Sequence, residues 1–223
     1  MAEPNIFLYY ANIIDYLRVV FALWAFAVAK ENYMHFVILY FISFALDGLD
    51  GMFARAYDQC SKLGATLDMV IDRISTAGLL VVCSQLFPQY CHIFIFLIML
   101  DVGSHWLQTH STLMLSALSK KDTSHKDREE LFWLINFYYK KYVLMTVCLA
   151  AELFLLLLYT IHFYPDLLRN ELFYKFTFYL CFPIYVFKQL ISVLQIISSS
   201  HAISEVDLED WRQKQKEKLK ATK

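Results

Sequence analysis

Four aspartates are grouped at two helical spacings within 26 positions of the chain. Asp47 and Asp50 are three residues apart, whereas Asp68 and Asp72 are four residues apart. On an α-helix, either spacing places both side chains of a pair on one face, about a turn apart. If the two helices are antiparallel neighbours joined near residues 57–63, the four carboxylates converge. Carboxylate oxygens are the ligands that Mg²⁺ and Mn²⁺ prefer, and four of them suit two metal ions bridged by a phosphate.

The flanking sequence is apolar enough to lie in a membrane, which makes these four charges costly. On insertion scales an aspartate costs ~2.5–3.5 kcal/mol at the centre of a spanning helix, and less near the interface. Like charges packed together also oppose one another's ionisation. A bound dication removes both problems, so the sequence predicts a divalent metal site, with Mg²⁺ and Mn²⁺ as alternatives.

Small residues and an arginine surround the aspartates. Gly51, Ala54 and Gly64 fill a membrane core poorly, but they permit the close approach of a ligand or of another helix. Helix packing is an equally good explanation of the glycines, but it does not explain the aspartates. Arg55 lies five residues beyond Asp50, where its forked donors suit a phosphate, with an interfacial anchor as the alternative. A phosphate-bearing ligand is therefore the predicted partner of the metal site.

Composition and hydropathy predict the elements that hold these residues. Hydrophobic residues make up 58% of the 223-residue chain and charged residues 18%, a balance shifted toward lipid. Gly and Pro are scarce, at five and four, which favours long helices over short strands. Spanning helices need about 20 mostly apolar residues, and a plain hydropathy count misses spans that carry charges. Six spans are predicted, over residues 13–30, 33–54, 66–87, 90–118, 142–163 and 172–200.

We therefore expect an all-α fold, an integral membrane bundle of six transmembrane helices that forms a single domain over residues 1–223. A short interfacial segment (1–12) precedes the bundle (13–200), and a charged tail (201–223) follows it. Fifteen Lys and Arg residues lie on the predicted side of the two termini and only three on the other side, which places both termini and the 2–3 connection in the cytosol. The net charge of −1 gives no case for binding nucleic acid. No removable signal peptide is expected, because residues 1–11 have neither a basic region nor a small-residue cleavage site. No disulfide or zinc site is expected either, because the five cysteines are scattered.

The string from Asp47 to Asp72 resembles the signature of the CDP-alcohol phosphotransferase family. That signature, D-x₂-D-G-x₂-A-R-x₈-G-x₃-D-x₃-D, has eight fixed residues, and the chain matches all of them. Residues 12–18 resemble the family's first helix, although Ala11 stands where Pro often precedes the Asn. Further segments resemble the eukaryotic, phosphatidylinositol-forming branch of the family, among them Ser104-His105-Trp106, Ser124-His125-Lys126 and Glu152-Leu153-Phe154.

The resemblance implies transfer of the phosphatidyl group of CDP-diacylglycerol to myo-inositol, with release of CMP. Asp47, Asp50, Asp68 and Asp72 would hold two metal ions, and Asp72 would also take the proton from the attacking hydroxyl. The residues implied to contact or make room for the CDP head group are Gly51, Ala54, Arg55, Ser61 and Gly64. The resemblance also implies a homodimer in the endoplasmic reticulum membrane.

A pocket for the acceptor alcohol is predicted less directly. Its predicted residues are Asp101, Ser104, His105, Lys140 and Lys141. The alternative for the first three is a satisfied polar cluster inside the bundle, and for the two lysines an interfacial anchor. Two more intramembrane charges, Glu152 and Lys188, suit pairing with each other as well as contact with substrate.

Two other functions stay open. Another acceptor, such as glycerol phosphate or serine, is compatible with the motif, because the motif concerns the CDP site alone. A cation transporter also carries intramembrane carboxylates, but it is expected to spread them over several spans along a path.

Overall fold

The structure, a computed structural model, describes residues 4–118 and 133–221, and nearly all of them are helical. In chain order the helices are α1 (Tyr10–Val28), α2 (Tyr33–Ala56), α3 (Lys62–Leu86), α4 (Cys91–Leu118), α5 (Trp133–Tyr138), α6 (Lys141–Phe163), α7 (Pro165–Asn170) and α8 (Leu172–Ala221). Single 3₁₀ turns precede α1 and α4, at Ile6–Leu8 and Pro88–Tyr90. No strand occurs in these two ranges, so the all-α prediction is confirmed.

Five of the described helices are long and apolar enough to cross a membrane, namely α1, α2, α4, α6 and α8. The protein is therefore a multi-pass membrane protein. Helix α3, the third predicted span, has 25 residues, but Asp68, Asp72 and Arg73 make its first half polar. The count of six spans thus stays a prediction, as does the single domain.

The first helix begins earlier, and the last helix ends later, than predicted. Helix α1 begins at Tyr10 rather than at 13, so the predicted interfacial segment is shortened to a 3₁₀ turn that the Asn5 side chain caps. Helix α8 continues without a break to Ala221, so the predicted tail is helical as far as it is described. No Gly or Pro interrupts residues 201–221, and their many Glu and Lys residues favour helix. The predicted polar connection at 119–130, with Ser124-His125-Lys126, lies outside the described residues.

The described residues form two compact units, and the first runs up to Ile95 and includes Leu155–Tyr174. In this unit α1 packs along α2 and against α3. Ala22 and Ala25 of α1 are buried, and such small side chains let membrane helices approach closely. At Gly78 of α3, an added Cβ would lie 2.4 Å from the ring of Phe26, so the contact with α1 requires glycine there.

The second unit contains Phe96–Phe154 and the chain from Lys175 onward. Its apolar core includes Tyr138, Val147 and Ile191, which are all buried. Polar side chains are buried beside this core: Ser199 of α8 donates a hydrogen bond to Gln108 of α4 at 2.7 Å. Hydrogen bonds of this kind hold membrane helices together where hydrocarbon offers polar groups no partner.

Candidate active site

A five-residue connection brings the two aspartate pairs to one end of the first unit. Helix α2 ends at Ala56 and α3 begins at Lys62, so the chain turns back within residues 57–61. Asp58 adopts a left-handed conformation (φ 53°), which aspartate tolerates better than most residues. The Ser61 hydroxyl then caps α3 by accepting the Gly64 amide hydrogen bond at 2.9 Å. Asp47 and Asp50 on the last turns of α2 therefore face Asp68 and Asp72 on the first turns of α3.

The four aspartates converge on one side chain, Arg18 of α1. Its Nη1 donates to Asp50 at 2.9 Å and to Asp68 at 2.8 Å. Its Nη2 donates to Asp72 at 2.5 Å and also to Asp47. The structure thus brings together all four predicted metal ligands, and it adds an arginine at their centre that the prediction did not include.

A fifth carboxylate, Asp15, completes this aspartate cluster. It lies one turn before Arg18 on α1 and accepts from Nη1 at 3.1 Å. The side chains of Asp15 and Asp50 are only 2% and 9% exposed. The three others are more open, at 36% for Asp47 and Asp72 and 45% for Asp68. The cluster therefore has a buried inner pair and an outer group that an incoming ligand can reach.

The donor set of the cluster fits divalent metal ions. Two groups of carboxylate oxygens, each within 4.8 Å of one another, are formed by Asp15, Asp50 and Asp68 and by Asp47, Asp68 and Asp72. Asp68 belongs to both groups, as a bridging ligand between two ions would. Five carboxylates against one guanidinium leave four negative charges, which two dications would balance. Oxygen-only ligands suit hard cations such as Mg²⁺ and Mn²⁺.

A cleft of about 190 Å³ opens beside the cluster. Asp50 and Asp68 form part of its wall, and the predicted head-group residues Gly51, Ala54, Ser61 and Gly64 also line it. Arg55 is exposed and lies next to this wall, since a Cβ added to Gly51 would be 3.3 Å from its Nη1. All five predicted head-group residues therefore lie in the cleft or next to it.

Asn12 of α1 lines this cleft and carries a buried acceptor. Its side chain is almost fully buried, and its Nδ2 donates to the carbonyl oxygen of Ile6 at 2.7 Å. Its Oδ1 has no hydrogen-bond partner within the described parts of the chain. A Cβ added to Gly64 would lie 2.8 Å from that oxygen, so glycine is required where α3 approaches α1.

Sequence reasoning did not assign Asn12, Asp15 or Arg18 to the site. A signal was present, because Asp15 and Arg18 are charged residues in a predicted span, and such residues are costly unless they are functional or paired. The aspartate motif lies on α2 and α3, whereas α1 supplies the cation on which the cluster converges.

The predicted acceptor residues lie in the second unit. Lys188 Nζ donates to Asp101 at 2.8 Å, and both side chains are buried. The Ser104 hydroxyl donates to the Asp101 carbonyl oxygen at 3.0 Å, and His105 Nδ1 lies 2.9 Å from that same oxygen. This is the geometry of the polar cluster that the sequence offered as the alternative, with Lys188 as its cation. Lys140 and Lys141 are both exposed at the start of α6. An acceptor pocket at these residues stays a prediction.

In a chain whose described part has five helices long and apolar enough to span a membrane, five carboxylates and one arginine come together beside a cleft. The class of protein is thus a multi-pass membrane protein with an acidic site whose donor set fits divalent metal. A family model described as CDP-alcohol phosphatidyltransferase matches residues 8–203. The chain belongs to the CDP-alcohol phosphatidyltransferase family.

Relatives of known function resemble the chain over nearly its whole length. It is 38% identical over 219 residues to a CDP-diacylglycerol–inositol 3-phosphatidyltransferase of Saccharomyces cerevisiae, which covers 97% of this chain and 95% of the relative. The enzyme of the same name from Homo sapiens is 35% identical over 216 residues, 96% of this chain and 100% of the relative. The enzyme of the same name from Drosophila melanogaster is 34% identical over 217 residues, which cover 97% of this chain and 93% of the relative. No solved structure matches the chain.

Proposed function

We propose that the protein is a metal-dependent enzyme that transfers the phosphatidyl group of CDP-diacylglycerol to myo-inositol and releases CMP. The observation that carries this proposal is the convergence of Asp47, Asp50, Asp68 and Asp72 on Arg18 beside the cleft that Gly51, Ala54, Ser61 and Gly64 line. The names of the relatives over nearly the full chain support the same donor and acceptor.

The cleft suits the CDP head group because it joins small side chains to hydrogen-bonding groups. Gly51 and Gly64 leave space for a ligand, and Arg55 beside Gly51 can bind a phosphate with its forked donors. The diphosphate would then lie next to Asp68, which lines the cleft and is the most exposed aspartate of the cluster.

Divalent ions bound by the aspartates would neutralise the diphosphate and make CMP a better leaving group. Asp72 is the proposed base, since its carboxylate is partly exposed and Arg18 Nη2 orients it at 2.5 Å. As the acceptor oxygen bonds to the phosphorus that carries the diacylglycerol, the bond from that phosphorus to the CMP oxygen breaks, and the hydroxyl proton passes to Asp72. Arg18 holds the carboxylates in place during this step, so little reorganisation is needed.

The proposed location is the endoplasmic reticulum membrane, with the cleft open to the cytosol. The distribution of basic residues supports this orientation, and Cys60 offers a native probe because it is exposed and lines the cleft. An impermeant thiol reagent should label Cys60 from the cytosolic face, and Cys60→Ser should remove that label. Labelling from the lumenal face alone would overturn the orientation. The proposed homodimer, supported by the family resemblance, is tested by the mass of the purified protein.

The test of the function is CMP release by the purified protein with CDP-diacylglycerol and a panel of alcohols. We expect release with myo-inositol in the presence of Mg²⁺ or Mn²⁺ and none with a chelator. Asp58→Asn, an exposed aspartate outside the cluster, is the matched control and should keep full activity. If CMP were released with glycerol phosphate or serine and not with inositol, that alcohol would be the acceptor. The absence of release with any alcohol would reject the transfer reaction.

A further inference from the structure

The second unit contains an apolar groove of about 510 Å³ at the start of α6. Its walls include Val143 and Val147 of α6, Pro183 and Ile184 of α8, and Phe137 of α5. Among the described residues that line it, Thr146 alone is neither apolar nor aromatic. The groove is larger than the cleft beside the aspartates, and its chemistry suits hydrocarbon rather than a head group.

Local sequence explains why the two helices leave this space. Val143, Thr146 and Val147 are spaced i, i+3 and i+4, so three short, branched side chains share one face of α6. Opposite them, Pro183 lies inside α8, where it lacks an N–H group and where a proline ring crowds the carbonyl group four residues earlier. The recess is thus a property of the packed helices and not of one mobile side chain.

Aromatic and basic residues mark the mouth of the groove as the membrane interface. Trp133 and Tyr142 are 65% and 81% exposed, as expected of an interfacial aromatic belt. Lys140 and Lys141 are exposed between the lining residues Phe137 and Tyr142, and Lys140 Nζ lies 5.5 Å from the centre of the Phe137 ring. The lining residues of α6 follow within two turns, roughly 10 Å along the helix axis. Two cations therefore lie at the level of lipid phosphates, with the groove directly below them.

We propose that this groove binds one acyl chain of an anionic phospholipid whose head-group phosphate contacts Lys140 and Lys141. A zwitterionic lipid such as phosphatidylcholine also presents a phosphate, but its choline cation offsets that charge, so an anionic lipid is the stronger electrostatic partner of the two lysines. The neighbouring segment 119–132 is a poor occupant, because Leu131 and Phe132 are its only apolar residues. In this proposal, Lys140 and Lys141 bind a lipid phosphate and not the acceptor alcohol. The proposal does not depend on the transfer reaction.

Native mass spectrometry of the full-length protein tests this site. The protein is released from vesicles that contain phosphatidylserine and phosphatidylcholine of equal chain length in equal amounts. We expect the wild type to retain phosphatidylserine at least threefold over phosphatidylcholine, and Lys140→Gln with Lys141→Gln to lose that preference. Lys175→Gln, an exposed lysine outside the groove, is the matched charge control and should keep the preference.

Thr146→Trp fills the groove from an exposed position, and it should reduce retention of the anionic lipid. Leu149→Trp adds the same ring to an exposed position of α6 that does not line the groove, and it should leave retention unchanged. Equal retention of the two lipids by the wild type would overturn the proposal, as would retention that neither the lysine variants nor Thr146→Trp alter. A dimer that Thr146→Trp alone dissociates would assign the groove to a second copy of the chain instead.

Discussion

Two buried clusters of charge, one in each unit, differ in how their charges are balanced. In the second unit, Asp101 and Lys188 form a pair at 2.8 Å with one charge of each sign. In the first unit, Arg18 is shared by five carboxylates. A membrane helix tolerates a balanced pair without any further partner, whereas an excess of four negative charges calls for added cations. The Asp101–Lys188 pair is thus balanced in charge, whereas the cluster around Arg18 has the excess negative charge that bound cations would neutralise.

Exposure separates the two clusters in the same way. The Asp101 and Lys188 side chains are 3% and 4% exposed, so neither is accessible to a ligand as the protein stands. Asp47, Asp68 and Asp72 are about ten times more exposed, and Asp68 lines the cleft together with Asp15 and Asp50. Excess charge and access to a ligand therefore occur together in the first unit alone.

The largest effect is expected for the metal ligands. Asp47→Asn, Asp50→Asn and Asp68→Asn should each abolish CMP release while the protein still inserts, because each removes an anionic ligand without changing its shape. Turnover is measured over a range of Mn²⁺ concentrations, with Asp58→Asn as control. If all three variants kept partial activity at saturating Mn²⁺, these residues would not be ligands.

A second effect separates the base from the other ligands. Asp72→Asn should lower the single-turnover rate by the ~10²–10⁴-fold that is typical of losing a general base. Its affinity for CDP-diacylglycerol should exceed that of Asp47→Asn, because the diphosphate keeps its remaining ligands. Both quantities are measured in both variants. If Asp72→Asn lost as much lipid affinity as Asp47→Asn, Asp72 would be only a fourth metal ligand and not the base.

The Asp101–Lys188 pair should respond as a structural element. Asp101→Asn alone leaves Lys188 charged and buried, and it should cost about 3–5 kcal/mol of stability. Asp101→Leu combined with Lys188→Met removes both charges and should recover most of that loss in a thermal unfolding assay. The KM for inositol in the double variant tests the alternative role of the pair, which is binding of the acceptor alcohol. A large rise in KM at recovered stability would place Asp101 or Lys188 in the acceptor pocket.

The smallest effect concerns the shape of the cleft. Gly64→Ala places a Cβ 2.8 Å from Asn12 Oδ1, an overpacking expected to cost roughly 1–3 kcal/mol. The affinity for CDP-diacylglycerol should also fall, because the added Cβ takes up space in the cleft that Gly64 lines. Gly48→Ala is the matched control, because a Cβ there meets nothing within 4 Å. Equal affinities of the two variants would mean that the contact between α1 and α3 does not shape the cleft.

The sequence predicts the helical fold and the aspartate cluster well, because both follow from local spacing. Asp47 with Asp50, and Asp68 with Asp72, lie on helix faces whose direction is set by a period of 3.6 residues. The roles of Arg18 and Asn12 depend on how α1 packs against α2 and α3, and no local pattern encodes that packing.

The same limit applies in the second unit. Lys188 and Asp101 lie 87 positions apart in the chain, so their pairing is a property of the folded helices. The change from apolar to charged residues after position 200 predicts the end of the last span, whereas the helix itself continues to Ala221.

Metal binding by the aspartate cluster is tested most directly by counting bound Mn²⁺ in the purified, chelator-treated protein by electron paramagnetic resonance. The wild type should bind two ions per chain in the two oxygen groups that share Asp68. Asp68→Asn should weaken both ions together, whereas Asp58→Asn should bind two ions with unchanged affinity. If Asp68→Asn bound as many Mn²⁺ ions as the wild type, and with the same affinity, the account would be contradicted.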